Sequence, residues 1–136
     1  MTGMGLLDGD KISFGNAEDA RFDSNRGWFV GGFQETAVGL RHSNDVEIKW
    51  SRHVQGDARS KISMLESATS VAILVSGSFI FNFPGEDPSR IKLSKQGDYV
   101  IYAPGVAHTW LALGESTLIT IRWPGRSEYR ESVPTP

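Results

Sequence analysis

Apolar residues return at every second position, in short runs, along most of this chain. No window sustains the recurrence every three to four residues that marks an amphipathic helix. That pattern restricts the chain to sheets. The clearest run is Asp45 to His53, where Val46, Ile48 and Trp50 share one face and Glu47, Lys49, Ser51 and His53 the other. Ser70 to Val75 is continuously apolar and closed by Ser76-Gly77. Phe79, Phe81 and Phe83 alternate directly after it, and the two runs read as a hairpin. Trp28-Phe29-Val30 forms a run before Gly31-Gly32, Gln34 to Asn44 reads as loop, and Lys61 to Leu65 is a weaker strand. Arg90 to Leu93, Asp98 to Tyr102, His108 to Leu113 and Ser116 to Trp123 follow, with Gly114-Glu115 as the turn of a last hairpin. About eight to ten short strands at regular spacing predict an all-β domain, closed as an antiparallel barrel or sandwich.

A length of 136 residues fits one domain with a core of its own. The sequence divides into an arm over 1–25, a barrel over 26–124 and a charged, Pro-rich tail over 125–136. Cysteine is absent, which excludes disulfides and thiolate metal sites. A net charge of -2 offers no electrostatic case for nucleic acid. Met1 to Phe14 is interrupted by Gly and charge, unlike a secretory leader, and no apolar stretch reaches the ~20 residues of a membrane helix. The expectation is a cytoplasmic protein without nucleic-acid or membrane partners.

The segment Gly97-Asp98-Tyr99-Val100-Ile101-Tyr102-Ala103-Pro104-Gly105-Val106-Ala107-His108 reads as a strand, a tight Pro-Gly turn and a second strand that opens on histidine. It resembles the second motif of the cupins, G-x5-P-x-G-x2-H, with Ala103 at the motif's proline and Pro104 one place later. From Val46 to Trp123 the chain looks like a small single-domain cupin, and Val46-Glu47-Ile48-Lys49-Trp50 with Ile121-Arg122-Trp123-Pro124 resembles a group of uncharacterised bacterial cupin-domain proteins. The resemblance implies a double-stranded β-helix jelly-roll barrel. It also implies a homodimer paired through an edge strand, for which Arg26 to Phe33 is the candidate. The first cupin motif, G-x5-H-x-H-x3,4-E-x6-G, fails when anchored on Gly77. Its glutamate falls at Ser70 and its histidines near Ser63 and Leu65, with Glu66 one residue off and on the opposite face. Only His108 matches the usual metal set, and one imidazole does not hold a divalent ion. The resemblance therefore carries over no cofactor and no metal-dependent oxygenase chemistry.

His108, placed inside the barrel by its motif, is the leading site residue, as a hydrogen-bonding group or a general acid/base. A core histidine is the bland alternative. Trp110 shares its strand face as a pocket wall or core filler. Lys49 and His53 reach a ligand, and Glu47 pairs with His108 as acid/base, only if their face of the strand is the barrel interior; the alternation alone turns it to solvent. Arg59, by analogy at the barrel mouth, and Arg122 suit a carboxylate or phosphate, though a surface arginine is commoner. Tyr99 and Tyr102 fall on opposite faces, so one at most reaches the pocket. These residues support a metal-free small-molecule-binding cupin. Three alternatives stay open: a metal-independent isomerase, epimerase or cyclase using His108; a metalloenzyme with displaced ligands His42, His53, Glu47 and His108; and a structural scaffold with a vestigial pocket.

Overall fold

The computed structural model describes residues 11–64 and 67–125; the sequence readings on 1–10, on Leu65 and Glu66 and on 126–136 lie outside them. Nine strands are described: β1 (Trp28–Val30), β2 (Glu47–His53), β3 (Ala58–Ser63), β4 (Thr69–Ser76), β5 (Phe79–Asn82), β6 (Arg90–Leu93), β7 (Tyr99–Tyr102), β8 (His108–Ala112) and β9 (Ser116–Trp123). They form two antiparallel sheets, one ordered β1-β2-β9-β4-β7 and the other β3-β8-β5-β6. Two short 3-10 segments, Ala17–Phe22 and Thr36–Arg41, flank β1, where the sequence suggested an arm and a loop.

The two expected hairpins do not exist. β4 pairs with β7 and β9, while β5 pairs with β6 and β8, so the chain changes sheets at Ser76-Gly77. β8 and β9 likewise lie in different sheets, so Gly114-Glu115 is a corner and not a hairpin turn. Gly77 turns at φ +104, a conformation open to glycine and strained for other residues. Buried Ser116 pins both corners together: its Oγ accepts from the Ser78 N–H at 3.1 Å, and its hydroxyl lies 3.0 Å from the Ser78 carbonyl and 2.8 Å from that of Gly114. Strand β3 starts three residues earlier than the Lys61 run suggested, at Ala58.

Between the sheets lies a core of Ala72, Leu74, Phe79, Phe81, Phe83, Leu93, Ala112 and Leu118. The β5 phenylalanines run through it with ring centroids 5.4 Å apart for Phe79 and Phe81 and 6.1 Å for Phe81 and Phe83. Burying each such side chain contributes about 1.5–3 kcal/mol. The outer face of the β1-β2-β9 sheet is apolar as well. Phe29, Ile48, Trp50 and Ile119 border a groove there with Phe14, Ala17 and Ala20 of the N-terminal segment. Glu18 of the Ala17–Phe22 turn accepts from the Trp50 indole N–H at 2.6 Å and from Arg52 at 2.9 Å, tying that segment to the sheet. With Ile48 and Trp50 engaged outside, β2 turns its polar face into the barrel.

Candidate functional site

The inner face of β2 decides the site. Lys49, Ser51 and His53 point between the sheets and line a cavity of about 90 Å³, with Thr120 and Arg122 from β9, Arg59 and Ser63 from β3, and His108 and Trp110 from β8. Phe79, Phe81 and Leu118 of the core form its floor, and Trp28 and Tyr102 complete the wall. The register explains the grouping: Lys49 lies opposite both Trp28 and Thr120, Arg59 opposite Trp110, and Ser63 opposite His108. The six ligand-contact candidates read from the sequence, His108, Trp110, Lys49, His53, Arg59 and Arg122, all line this one cavity. The solvated alternative for the β2 polar face is overturned, because the apolar face is covered on the outside of the sheet.

Glu47 sits apart from them. It is 2% exposed and lies next to Arg122, whose Nη1 donates to Oε1 at 3.3 Å, while its other oxygen, Oε2, is buried without a hydrogen-bond partner among the described residues. Burial raises its carboxyl above the ordinary value, with Arg122 acting in the opposite direction. Glu47 is not among the side chains described as lining the cavity, so it supports Arg122 and does not face His108 as an acid/base partner. His42 is held away from the cavity, with Nδ1 2.6 Å from the Gln34 carbonyl beside the Gly31–His42 bridge. The displaced set of His42, His53, Glu47 and His108 is therefore not assembled at one point. Among the described residues no three His, Asp or Glu side chains stand where they could share an ion. Ser63 lies opposite His108 across the β3–β8 pair, and Ser70 is buried within β4.

Trp28, not singled out as a site residue in the sequence, is the platform of the site. The Arg122 guanidinium stands 4.1 Å and the Lys49 ammonium 5.5 Å from its ring centroid. Nothing local marks Trp28 for this role, since its contact with Lys49 follows from the pairing of β1 with β2. On the other wall, the His53 ring lies 4.7 Å from Trp110 and 5.3 Å from Phe79, and the His108 ring lies 4.6 Å from Tyr102. The Tyr102 hydroxyl is 3.4 Å from His108 Nε2, while Tyr99 points outward at 62% exposure.

The cavity favours neutral bases. Burial pushes the Lys49 ammonium down to about 8, helped by the positive charges of Arg122, Arg26 and Arg59. Burial pushes His108 down to about 4, with Arg59 and Arg122 adding to the effect. His53 is also lowered, by burial first and by Lys49 second, against the opposing pull of Asp57 at 3.6 Å. At neutral pH the His108 imidazole is uncharged, burial favours the uncharged form of His53 as well, and Lys49 is mostly protonated with about a tenth as free amine.

This architecture is the cupin fold, the double-stranded β-helix. Among solved structures the chain matches KdgF from Halomonas sp. with a TM-score of 0.55, at 23% identity, covering 64% of this chain and 76% of that one. An uncharacterized protein with a double-stranded β-helix domain from Klebsiella pneumoniae matches with a TM-score of 0.57, at 18% identity, covering 68% and 78%. An RmlC-like cupin from Shewanella frigidimarina matches with a TM-score of 0.53, at 20% identity, covering 62% and 71%. No family model matches the chain, and no curated protein does. At these identities the likeness is one of architecture.

Proposed function

We propose that this chain binds a compact organic anion, a small carboxylate, inside its barrel. The observation that carries this reading is the convergence of Lys49, Arg59 and Arg122 on one cavity of about 90 Å³. Ligand pockets commonly start at roughly 300 Å³, so the ligand is small. The positive charges of Arg122 and Arg59 act on Lys49, and an anion placed among them relieves that repulsion. The guanidinium fork fits a carboxylate. His108, His53 and Tyr102 contribute neutral hydrogen-bonding groups, and Trp110 and Trp28 supply apolar walls. No helix among the described residues is long and apolar enough to cross a membrane.

Calorimetric titration of small carboxylates such as lactate and pyruvate, alongside their neutral amides, tests this. Because Arg122 also neutralises Glu47, that arginine is removed in the paired variant Glu47→Gln/Arg122→Gln. Carboxylates should bind and the amides should not. Arg59→Gln and the paired variant should each weaken binding about tenfold or more, as expected for loss of a charge-assisted hydrogen bond. Equal binding of acids and amides, or affinity indifferent to both arginine changes, would refute an anion site.

A further inference from the structure

The anion site contains a group that simple anion binding does not require. Lys49 is an amine inside the barrel, whereas Lys11, Lys61, Lys92 and Lys95, the other lysines of the chain, are exposed. Its ammonium and the Arg122 guanidinium both pack against the Trp28 ring, 5.5 Å and 4.1 Å from its centroid. A carboxylate held by Arg122 keeps the carbon next to it in the same cavity as the Lys49 amine. Resting on the carboxylate reading above, we propose that the site takes 2-oxo acids and captures them covalently, as an imine between Lys49 Nζ and the oxo carbon.

The step balances without an added oxidant or reductant. The neutral amine attacks the carbonyl carbon, forming a C–N bond, and the carbonyl oxygen takes a proton. The nitrogen then gives up one of its protons, the oxygen takes a second proton from solvent, and it leaves as water as the nitrogen lone pair closes the C=N bond. The product is a protonated imine that keeps a positive charge beside the carboxylate. Attack requires the free amine, and burial with neighbouring cations is a general way to provide it near neutral pH. With its pKa near 8, Lys49 holds a free-amine fraction at pH 7 on the order of a hundred times that of an ordinary lysine. Neutral His53, on the same strand face, and Thr120, opposite Lys49 in the register, are polar neighbours that do not neutralise the nucleophile.

The experiment is reductive trapping. The folded protein is incubated with pyruvate and sodium cyanoborohydride at pH 7, followed by intact mass and peptide mapping. The expected result is one reduced adduct at Lys49, at least tenfold above any exposed lysine. It should vanish in Lys49→Arg and in denatured protein, and its rate should rise with pH to a plateau above about 8. Lactate, which has no oxo group, should bind in calorimetry, give no adduct and compete with trapping. Binding of both acids with no adduct at Lys49 would overturn the imine while sparing the anion site, as would an adduct spread evenly over the exposed lysines. Failure of both acids to bind would remove the anion site and the imine with it.

Discussion

Glu47 and Arg122 form a unit whose parts cannot be removed independently. The carboxylate is 2% exposed, its partner is the Arg122 guanidinium, and that guanidinium is stacked on Trp28. Removing the arginine leaves a buried charge without compensation, which costs more than the pair itself contributes. Arg122→Met should therefore lose about 2–4 kcal/mol at pH 7 in urea denaturation. The loss should shrink as pH falls toward 5, because the buried carboxyl already holds its proton more tightly than usual and can neutralise itself. Adding Glu47→Gln to Arg122→Met should restore most of the stability. A double variant as unstable as the single one would show that Arg122 acts through its contact with Trp28 and not through Glu47. The same residue thus supports the ligand site and the fold, which is why its binding role is read in the paired variant.

At the scale of elements, the corners carry the topology. A Cβ at Gly77 would meet the Glu115 carbonyl and Ser116, and the φ of +104 is itself unfavourable for any other residue. Gly56 has a similar φ of +93 but open space around it. Gly77→Ala should cost about 2–4 kcal/mol and Gly56→Ala about 1–2 kcal/mol, since only the first adds a backbone collision to the strain. Equal losses in thermal unfolding would mean that conformation alone matters at both turns. These corners also mark where the sequence stopped being legible. Strands β6 and β9 run over the residues that alternation and turn chemistry assign them, Arg90–Leu93 and Ser116–Trp123. A period of two, however, gives strand positions and says nothing of which strands pair, so two sheet-crossing corners read as hairpins. It gives two faces for β2 without telling which is inside, because that depends on the distant Ala17–Phe22 turn covering Trp50. The motif ending at His108 placed one site residue directly. Lys49, His53, Arg59 and Arg122 became neighbours only once the sheets closed, and Trp28 only once β1 was paired.

For the whole molecule, the cavity sets a dependence of stability on pH that runs against the usual plateau. His108 titrates at about 4 in the fold against 6.5 when exposed, so the unfolded chain binds the extra proton first. Its contribution is fully present above pH 6.5 and is lost as pH falls toward 4, by about 3 kcal/mol. His53 acts in the same direction, and Glu47, whose raised pKa favours the protonated fold, opposes both in part. Lys49 acts at the other end. It titrates at about 8 in the fold against 10.5 when exposed, so the fold carries a penalty at neutral pH that is relieved between pH 8 and 10.5, again by about 3 kcal/mol. Urea midpoints measured from pH 4 to 10.5 should therefore climb in two steps. His108→Gln should flatten the acid step alone. Lys49→Met should abolish the alkaline step and raise stability at pH 7, because it removes a buried cation from among Arg122, Arg26 and Arg59. An alkaline step that survives in Lys49→Met would mean that this amine is not the group whose proton the barrel holds weakly. Loss of the step together with a gain in stability at pH 7 would identify Lys49 as a residue kept at a cost to folding, as expected of a side chain retained for what it does to a ligand.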